Sequence, residues 1–214
     1  MKKALVGRVI EILKETYPEA KIALKFDNVW QLLVVVILSA QCTDERVNIV
    51  SPPLFKRFKS VRDFADCDIG ELEKMIYSTG FYKAKARNIR AAAVKIVGEY
   101  GGKVPDTMEA LLTLTGVARK TANVVLSTAF SQHVGIVVDT HVARLAGLLG
   151  WVPKKLSDAK NAVKIEQILM KTVPHRDWGK IAHLLIWHGR KICIARRPKC
   201  EICPLNKICP SSRV

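Results

Sequence analysis

Residues 112–126 read LTLTGVARKTANVVL, and a second short motif, VVDTH, follows at residues 137–141. The apolar spacing on both sides of Gly116 predicts two helices joined by a turn at that glycine. Lys120 then lies in the first turn of the second helix, where unpaired N–H groups and the helix dipole create positive potential. That potential attracts phosphate and disfavours the protonated form of an amine, which is typical of a nucleophilic lysine.

Lys120 and Asp139 also have simpler interpretations. A lysine in a helix is usually a solvated charge, although cations prefer the opposite helix end. Asp139 precedes a predicted helix over residues 140–149, and an aspartate at that position is by default an N-cap. The case for chemistry therefore depends on what the rest of the chain adds.

The charge of the chain favours a polyanionic partner. Its 214 residues carry 35 lysines and arginines against 19 acidic residues, a net charge of +16, which is typical of nucleic-acid binding. The most apolar run, residues 29–40, is interrupted by Gln31 and is too short to cross a bilayer. No signal peptide follows Met1. We therefore expect an intracellular protein of the cytoplasm or nucleoid, without a membrane partner.

Four of the six cysteines, at positions 193, 200, 203 and 209, have the spacing C-x6-C-x2-C-x5-C. In a reducing compartment such crowding favours a metal site over disulfides. Four thiolates suit zinc or an iron–sulfur cluster, and the single C-x2-C pair weighs mildly against zinc. The neighbouring cations either offset the negative charge of this centre or face phosphates; they are Arg190, Lys191, Arg196, Arg197 and Lys199.

The remaining sequence predicts an all-α fold. Apolar residues recur at helical spacing, and glycines close several segments. The predicted helices are an N-terminal helix ending before Pro18, 29–40 capped by Asp27 or Asn28, a segment near 48–58 with a boundary or kink at Pro52-Pro53, 69–79, 83–100, one from Asp106 through Leu114, 157–172 and 178–192. Residues 132–138 are predicted as an extended linker, because a lone strand has no partner.

Taken together, the order and spacing of these motifs resemble the endonuclease III family of helix-hairpin-helix DNA glycosylases. The resemblance covers almost the whole chain. It rests on LSAQ at 38–41 with Asp44, GFYxxKA at 80–86, the hairpin with Lys120, VDTH at 138–141, and HGR at 188–190 leading into the four cysteines.

The resemblance implies a bifunctional DNA glycosylase and abasic-site lyase of base excision repair. It would excise oxidised pyrimidines of the thymine glycol type and cleave the strand by β-elimination, acting as a monomer on duplex DNA with a damaged or abasic nucleotide. The fold would be two helical lobes. Residues 23–133 would form a six-helix domain with the hairpin, and residues 1–22 and 134–214 a discontinuous domain with a [4Fe–4S] loop at 193–209.

The resemblance also assigns roles to residues. Lys120 would be the Schiff-base nucleophile and Asp139 the catalytic carboxylate, with His141 orienting or packing. The cluster ligands would be Cys193, Cys200, Cys203 and Cys209. The DNA contacts would be Gln41, Asp44, Phe81, Gly116, Ala118, Arg119, Thr121, Arg190, Lys191, Arg196, Arg197 and Lys199.

Three of these DNA contacts have simpler alternatives. Gln41 and Phe81 would fill the gap left by an extruded nucleotide. Gln41 is otherwise an ordinary polar residue at a helix C-terminus. Phe81 is otherwise a core aromatic, and this alternative is stronger than the one for Gln41. Asp44 is otherwise a helix cap.

The hairpin departs from the family pattern at two positions. Thr115 replaces a proline and Ala118 replaces a glycine. If position 118 needs a positive φ, alanine would cost about 1 kcal/mol there. Phe81 also stands where a smaller aliphatic residue is common.

Other functions stay open at this point. Related glycosylases that act on mismatches usually lack a lysine matching Lys120, which makes oxidised pyrimidines the leading substrate. A redox-sensing DNA-binding protein without enzymatic activity would need neither Lys120 nor Asp139. A zinc-stabilised nucleic-acid module is the remaining alternative.

Overall fold

The computed structural model of the protein describes residues 3–214, and this part of the chain contains helices and loops but no β-strand. The all-α prediction is confirmed. The helices are α1 Lys3–Thr16, α2 Val29–Leu38, α3 Asp44–Arg57, α4 Val61–Asp66, α5 Ile69–Ile76, α6 Tyr82–Glu99, α7 Met108–Leu112, α8 Arg119–Ala129, α9 Thr140–Leu148, α10 Lys154–Asp158, α11 Ala162–Thr172 and α12 Trp178–Lys191, with 3₁₀ turns at Tyr77–Thr79, His175–Asp177 and Cys200–Ile202. No helix among the described residues is long and apolar enough to span a membrane.

The chain folds into two compact units. One is continuous, Ala23–Gln132, and contains α2 to α8. The other is discontinuous and joins the segment ending at Ile22 to His133–Val214, so that α1 belongs with α9 to α12.

The continuous unit is built around α2. This helix is apolar on nearly all sides, as expected for a helix surrounded by others. Its buried Trp30 meets Phe64 of α4 edge-on, with ring centroids 5.3 Å apart, and Phe58 lies 5.1 Å from the same Phe64 ring. These aromatic contacts fix α4 against α2 and against the residue that ends α3. The sequence analysis did not predict this short helix.

The discontinuous unit closes its core with the first helix of the chain. One face of α1 is buried, and its members Val6, Val9, Ile10 and Leu13 share a core with α9, α11 and α12. The four positions recur at intervals of three and four residues, which is the helical spacing of a single apolar face. The unit therefore needs both ends of the chain to bury its apolar surface.

Some of the helix caps that the sequence predicts are caps in the structure, and others are not. Asn28 caps α2 by accepting a hydrogen bond from the Gln31 N–H at 3.0 Å. The predicted cap at Asp106 is wrong, because the Thr107 hydroxyl one residue later accepts from the N–H of Ala110. Both residue types are good caps, so periodicity alone could not choose between neighbours.

Two predicted helices have different bounds in the structure. The predicted helix over 157–172 is two helices, because Lys160 takes a positive φ of 50° between α10 and α11. At Pro52-Pro53, where a boundary or a kink was predicted, there is no helix boundary, because α3 runs through both prolines. Burial of Val47, Val50 and Leu54 on one face holds α3 together although each proline lacks an N–H donor.

The α9–α10 contact depends on a glycine. A Cβ at Gly147 would overlap Ser157, whose own Cβ would lie 2.6 Å away. We expect Gly147→Ala to lower the free energy of unfolding by about 1–3 kcal/mol because it overpacks this contact. Denaturant unfolding measures the change.

Gly7 of α1 is the matched control, because it lies in the same unit with nothing within 4 Å of an added Cβ. Gly7→Ala should stabilise by about 0.5–1 kcal/mol through helix propensity alone. Equal effects of the two substitutions would contradict a packing role for Gly147.

Candidate active site and metal centre

The hairpin at residues 113–118 is anchored by buried side chains on both sides of its turn. Leu114 and Val117 are 2% and 6% exposed. Between them Gly116 has φ +81°, and a Cβ there would lie 2.7 Å from the Cβ of Asn88 on α6. Glycine is therefore required at position 116 both by its backbone conformation and by the close approach of Asn88.

Ala118 shows no backbone strain. Its φ of −91° and ψ of 169° are extended, which any residue adopts, so alanine carries no cost from a positive φ here. Ala118 is the N-cap of α8 and gives no side-chain acceptor to the first N–H groups of that helix. Arg119, Lys120 and Thr121 follow in its first turn. Lys120 is exposed, so its amine is accessible.

Gln41 and Phe81 share an uncommon backbone conformation in the continuous unit. Their φ values are 53° and 48°, in the left-handed region that non-glycine residues seldom occupy. Gln41 is exposed and lies past the end of α2, so it is not part of that helix. Phe81 is 66% exposed, so the alternative interpretation as a core aromatic is wrong. An exposed phenylalanine on a strained turn is a costly arrangement that points to function.

Asp44 is not the cap of its helix. The hydroxyl of Thr43 accepts from the N–H of Arg46 at 3.2 Å, and Asp44 is the first residue of α3. The interpretation of Asp44 as a cap was wrong by one residue. An acid in the first helical turn still interacts favourably with the helix dipole.

Asp139 caps α9 in the discontinuous unit. One of its carboxylate oxygens accepts from the Val142 N–H at 2.8 Å. The side chain is half-buried. Burial lowers the pKa of both His141 and His183, and the charge of Asp139 opposes this in each case, so both imidazoles lie in the field of the carboxylate.

His141 packs against α12. A Cβ at Gly189 would lie 2.9 Å from its Nδ1, and that nitrogen is buried. The close approach agrees with the packing role expected from the sequence and needs a glycine on the facing helix.

The four C-terminal cysteines lie on one short folded loop. Backbone bonds from Cys203 to Cys200 at 3.1 Å and from Cys209 to Leu205 at 2.8 Å shape it, and Leu205 is 1% exposed. Burial raises the pKa of Cys203 and Cys209, and the other cysteine thiols of the loop raise both further. The thiols are thus close enough to interact electrostatically and all four are half-buried.

This donor set fits a multi-iron centre. Within the described part of the chain, no three His, Cys, Asp or Glu side chains converge on the position of a single ion. Thiolate ligands of one zinc ion would all lie about 2.3 Å from it. Four half-buried cysteine thiols on one short loop are the ligand set that holds iron–sulfur clusters.

Three side chains lie around the thiols, and of these the sequence analysis named only His188, as part of the HGR motif. The imidazole of His188 lies 3.0 Å from the Tyr17 hydroxyl and 3.5 Å from the sulfur of Cys203. Arg144 of α9 donates to the sulfur of Cys193 at 3.7 Å. No local pattern marks Tyr17 or Arg144, because each reaches the loop from a distant segment.

Five basic residues in and just before this loop are predicted to contact DNA, and all of them are exposed: Arg190, Lys191, Arg196, Arg197 and Lys199. The ammonium of Lys191 also lies 4.5 Å from the centre of the Trp187 ring. This cation–π contact orients Lys191 at the end of α12.

Two family models match the chain. Residues 34–175 match the HhH-GPD superfamily of base excision DNA repair proteins, and residues 193–209 match the iron–sulfur binding domain of endonuclease III. Proteins named Endonuclease III from Synechocystis and Bacillus subtilis are 49% and 41% identical to this chain in sequence. These alignments cover 99% and 94% of this chain, and 94% and 89% of the two relatives. The chain belongs to the endonuclease III family.

Solved structures agree with this assignment. An endonuclease III in a non-covalent complex with DNA and another trapped as a covalent intermediate with DNA each superpose with a TM-score of 0.91 at 37% identity, covering 99% of this chain and 97% of theirs. A thermostable thymine-DNA glycosylase, at 21% identity and a TM-score of 0.85, shares the fold. As a member of this family, the chain is a DNA glycosylase and abasic-site lyase and carries a [4Fe–4S] cluster. The non-enzymatic and zinc alternatives are thereby excluded.

The metal centre gives a direct test. The four loop cysteines would hold the cluster, so we expect Cys203→Ala to lose most of the bound iron and sulfide and the visible absorbance of this endonuclease III. The measurement is iron and sulfide analysis of the purified variant.

Cys42 provides the control, since it is also a half-buried thiol but belongs to the other unit. Cys42→Ala should keep the full iron content. A Cys203 variant with unchanged iron would remove Cys203 from the ligand set.

Proposed function

We propose that this endonuclease III excises oxidised pyrimidines of the thymine glycol type from duplex DNA and then cleaves the strand by β-elimination. The observation that carries the proposal is the exposed Lys120 in the first turn of α8, directly after the hairpin. An amine at that place is accessible to DNA and lies beside N–H groups that the N-cap does not satisfy. We further propose that the enzyme acts on DNA as a monomer.

In the proposed reaction Lys120 supplies the nucleophile. A target base must leave the stack before chemistry, and damaged bases do so at lower cost. The Lys120 amine attacks C1′ of the sugar, the bond from C1′ to the base breaks, and the base leaves with the bonding electrons and takes up a proton. The C1′–O4′ bond of the sugar ring then breaks, O4′ takes up a proton, and C1′ forms a protonated Schiff base with Lys120 that acidifies the C2′ proton. Loss of that proton breaks the C3′–O bond, releasing the 5′-phosphate end, and water then frees the lysine.

Asp139 has a separate role in this proposal. Its cap bond to Val142 uses one carboxylate oxygen and holds the side chain in one orientation. The carboxylate then stabilises the cationic sugar as the base departs, or accepts a proton from Lys120.

The DNA contacts follow from the same placement. The N–H groups at the start of α8 would bind a backbone phosphate, helped by the helix dipole. Gln41 and Phe81 would occupy the space of the extruded nucleotide. The exposed cations of the cysteine loop would bind phosphates further along the duplex.

A mismatch-specific activity is the second candidate, because a thymine-DNA glycosylase has the same fold. A glycosylase that activates water needs no lysine nucleophile, and for that reason Lys120 favours the lyase-coupled reaction on oxidised pyrimidines.

Borohydride reduction of the Schiff base tests Lys120. The native enzyme should form a covalent adduct with a duplex carrying one thymine glycol and with an abasic duplex, and none with undamaged DNA. Lys120→Ala should abolish both adducts while binding to an abasic analogue persists, because only the nucleophile is lost.

Lys83 is the matched control, since it too is an exposed lysine at the second position of a helix. Lys83→Ala should keep both adducts. Trapping that survives in the Lys120 variant would rule out Lys120 as the nucleophile. An adduct of the native enzyme with the abasic duplex alone would rule out thymine glycol as its substrate.

Substitution of Asp139 separates capping from catalysis. Asparagine is an equally good N-cap, so Asp139→Asn should change the free energy of unfolding by less than about 0.5 kcal/mol. It should slow base release by about two orders of magnitude or more, because the negative charge is gone. Single-turnover base release and denaturant unfolding are the two measurements.

Asp139→Ala is the comparison, and it should lose about 1 kcal/mol of stability as well as activity. A normal rate of base release in the asparagine variant would mean that Asp139 is only a helix cap.

A further inference from the structure

Lys85 is a buried lysine in the continuous unit. Only 4% of it is exposed. Its ammonium donates to the carbonyl of Leu38 at 2.7 Å and to the carbonyl of Thr79 at 2.8 Å. Lysines are almost never fully buried without a carboxylate partner, and here both acceptors are backbone carbonyls. The arrangement therefore calls for a reason beyond ordinary packing.

The two carbonyls belong to two separate loops. Leu38 is the last residue of α2, three residues before Gln41. Thr79 ends the 3₁₀ turn, two residues before Phe81. One side chain thus joins the segments that lead into both of the exposed left-handed residues.

Both loops have conformations that need support. Gln41 and Phe81 carry side chains at positive φ, which is disfavoured unless the surrounding structure imposes it. Leu38 is at a helix C-terminus, where the last carbonyls lack a partner within the helix. The bond from Lys85 satisfies that carbonyl and at the same time fixes its distance from Thr79.

The position is an unfavourable one for a cation. Lys85 lies in the second turn of α6, near the helix end that repels positive charge, and burial lowers its pKa. The Cys42 thiol is the group that opposes this shift. A neutral amine would still have two N–H donors for the two carbonyls. The hydrogen bonds that join the two loops can therefore form whether or not the Lys85 amine is protonated.

We propose that Lys85 is a positioning residue that holds the Gln41 and Phe81 loops in the arrangement in which both side chains enter the duplex together. The inference rests on the proposed function, because it takes Gln41 and Phe81 as the groups that fill the gap. Lys85 itself is buried and does not touch DNA. Its effect passes through the two carbonyls.

The first test observes gap filling without chemistry. The probe is a duplex with 2-aminopurine opposite a tetrahydrofuran abasic analogue, at saturating enzyme, where entry of Gln41 and Phe81 unstacks the orphan base and raises its fluorescence. We expect Lys85→Met to lose most of this increase. The control Lys83→Met, which removes an exposed lysine from the same helix, should keep it.

The second test is a mutant cycle on the single-turnover rate of thymine glycol release. Lys85→Met should slow release by about tenfold or more in the native background, since unsupported flipping costs more. In a Gln41→Ala, Phe81→Ala background the same substitution should have almost no further effect. If Lys85→Met does not fold, Lys85→Gln is used in both tests, because its shorter side chain cannot reach both carbonyls.

The outcomes separate the two proposals. Native enzyme that releases no thymine glycol refutes the proposed substrate, while the fluorescence still decides the role of Lys85. A full fluorescence increase in the Lys85 variant, or an equal rate loss in both backgrounds, would overturn the positioning role and leave Lys85 as a stability residue. A native enzyme that produces no increase would overturn it as well.

Discussion

The discontinuous unit depends on one buried hydrogen-bonded chain between the two ends of the sequence. It runs from Tyr17 through His188 to Cys203. Burial and the nearby Arg144 lower the pKa of His188 to about 4, and burial with the thiols raises the pKa of Tyr17 to about 12. A cysteine thiolate only accepts hydrogen bonds, so with iron bound to Cys203 a proton on Nε2 of His188 would face that sulfur, and Nδ1 would accept from the Tyr17 hydroxyl.

These hydrogen bonds place the cysteine loop and Asp139 on one framework. Helix α9 begins at Asp139, and Arg144 on its second turn donates to the sulfur of Cys193. His141 of the same helix packs against Gly189, one residue past His188. A guanidinium and an imidazole next to the cysteine sulfurs would stabilise the negative charge that bound iron requires of its ligands. The loop that holds the cluster and the helix that Asp139 caps therefore share their supporting contacts.

The features that the sequence predicted correctly are local ones. Caps such as Asn28, the helix-closing Gly80 and the spacing of the cysteines depend on residues within one turn of each other. The errors concern properties that distant residues decide. The alternative of a core position for Phe81 rested on the usual burial of large aromatics, and nothing in its neighbourhood shows that its turn projects outward. Lys85 was part of a recognised motif, yet its partner Leu38 lies 47 positions away.

The hairpin shows why departures from a family pattern need backbone geometry before they are judged. Gly116 is irreplaceable because its φ is positive and Asn88 lies against it, whereas Ala118 is extended and unstrained. The turn is held by the burial of Leu114 and Val117, so it does not rely on the rigidity of a proline at position 115. Because phosphate would bind to backbone N–H groups, any residue that keeps the extended conformation at position 118 preserves those donors. Thr115 and Ala118 thus change the side chains of the hairpin and leave its backbone N–H groups in place.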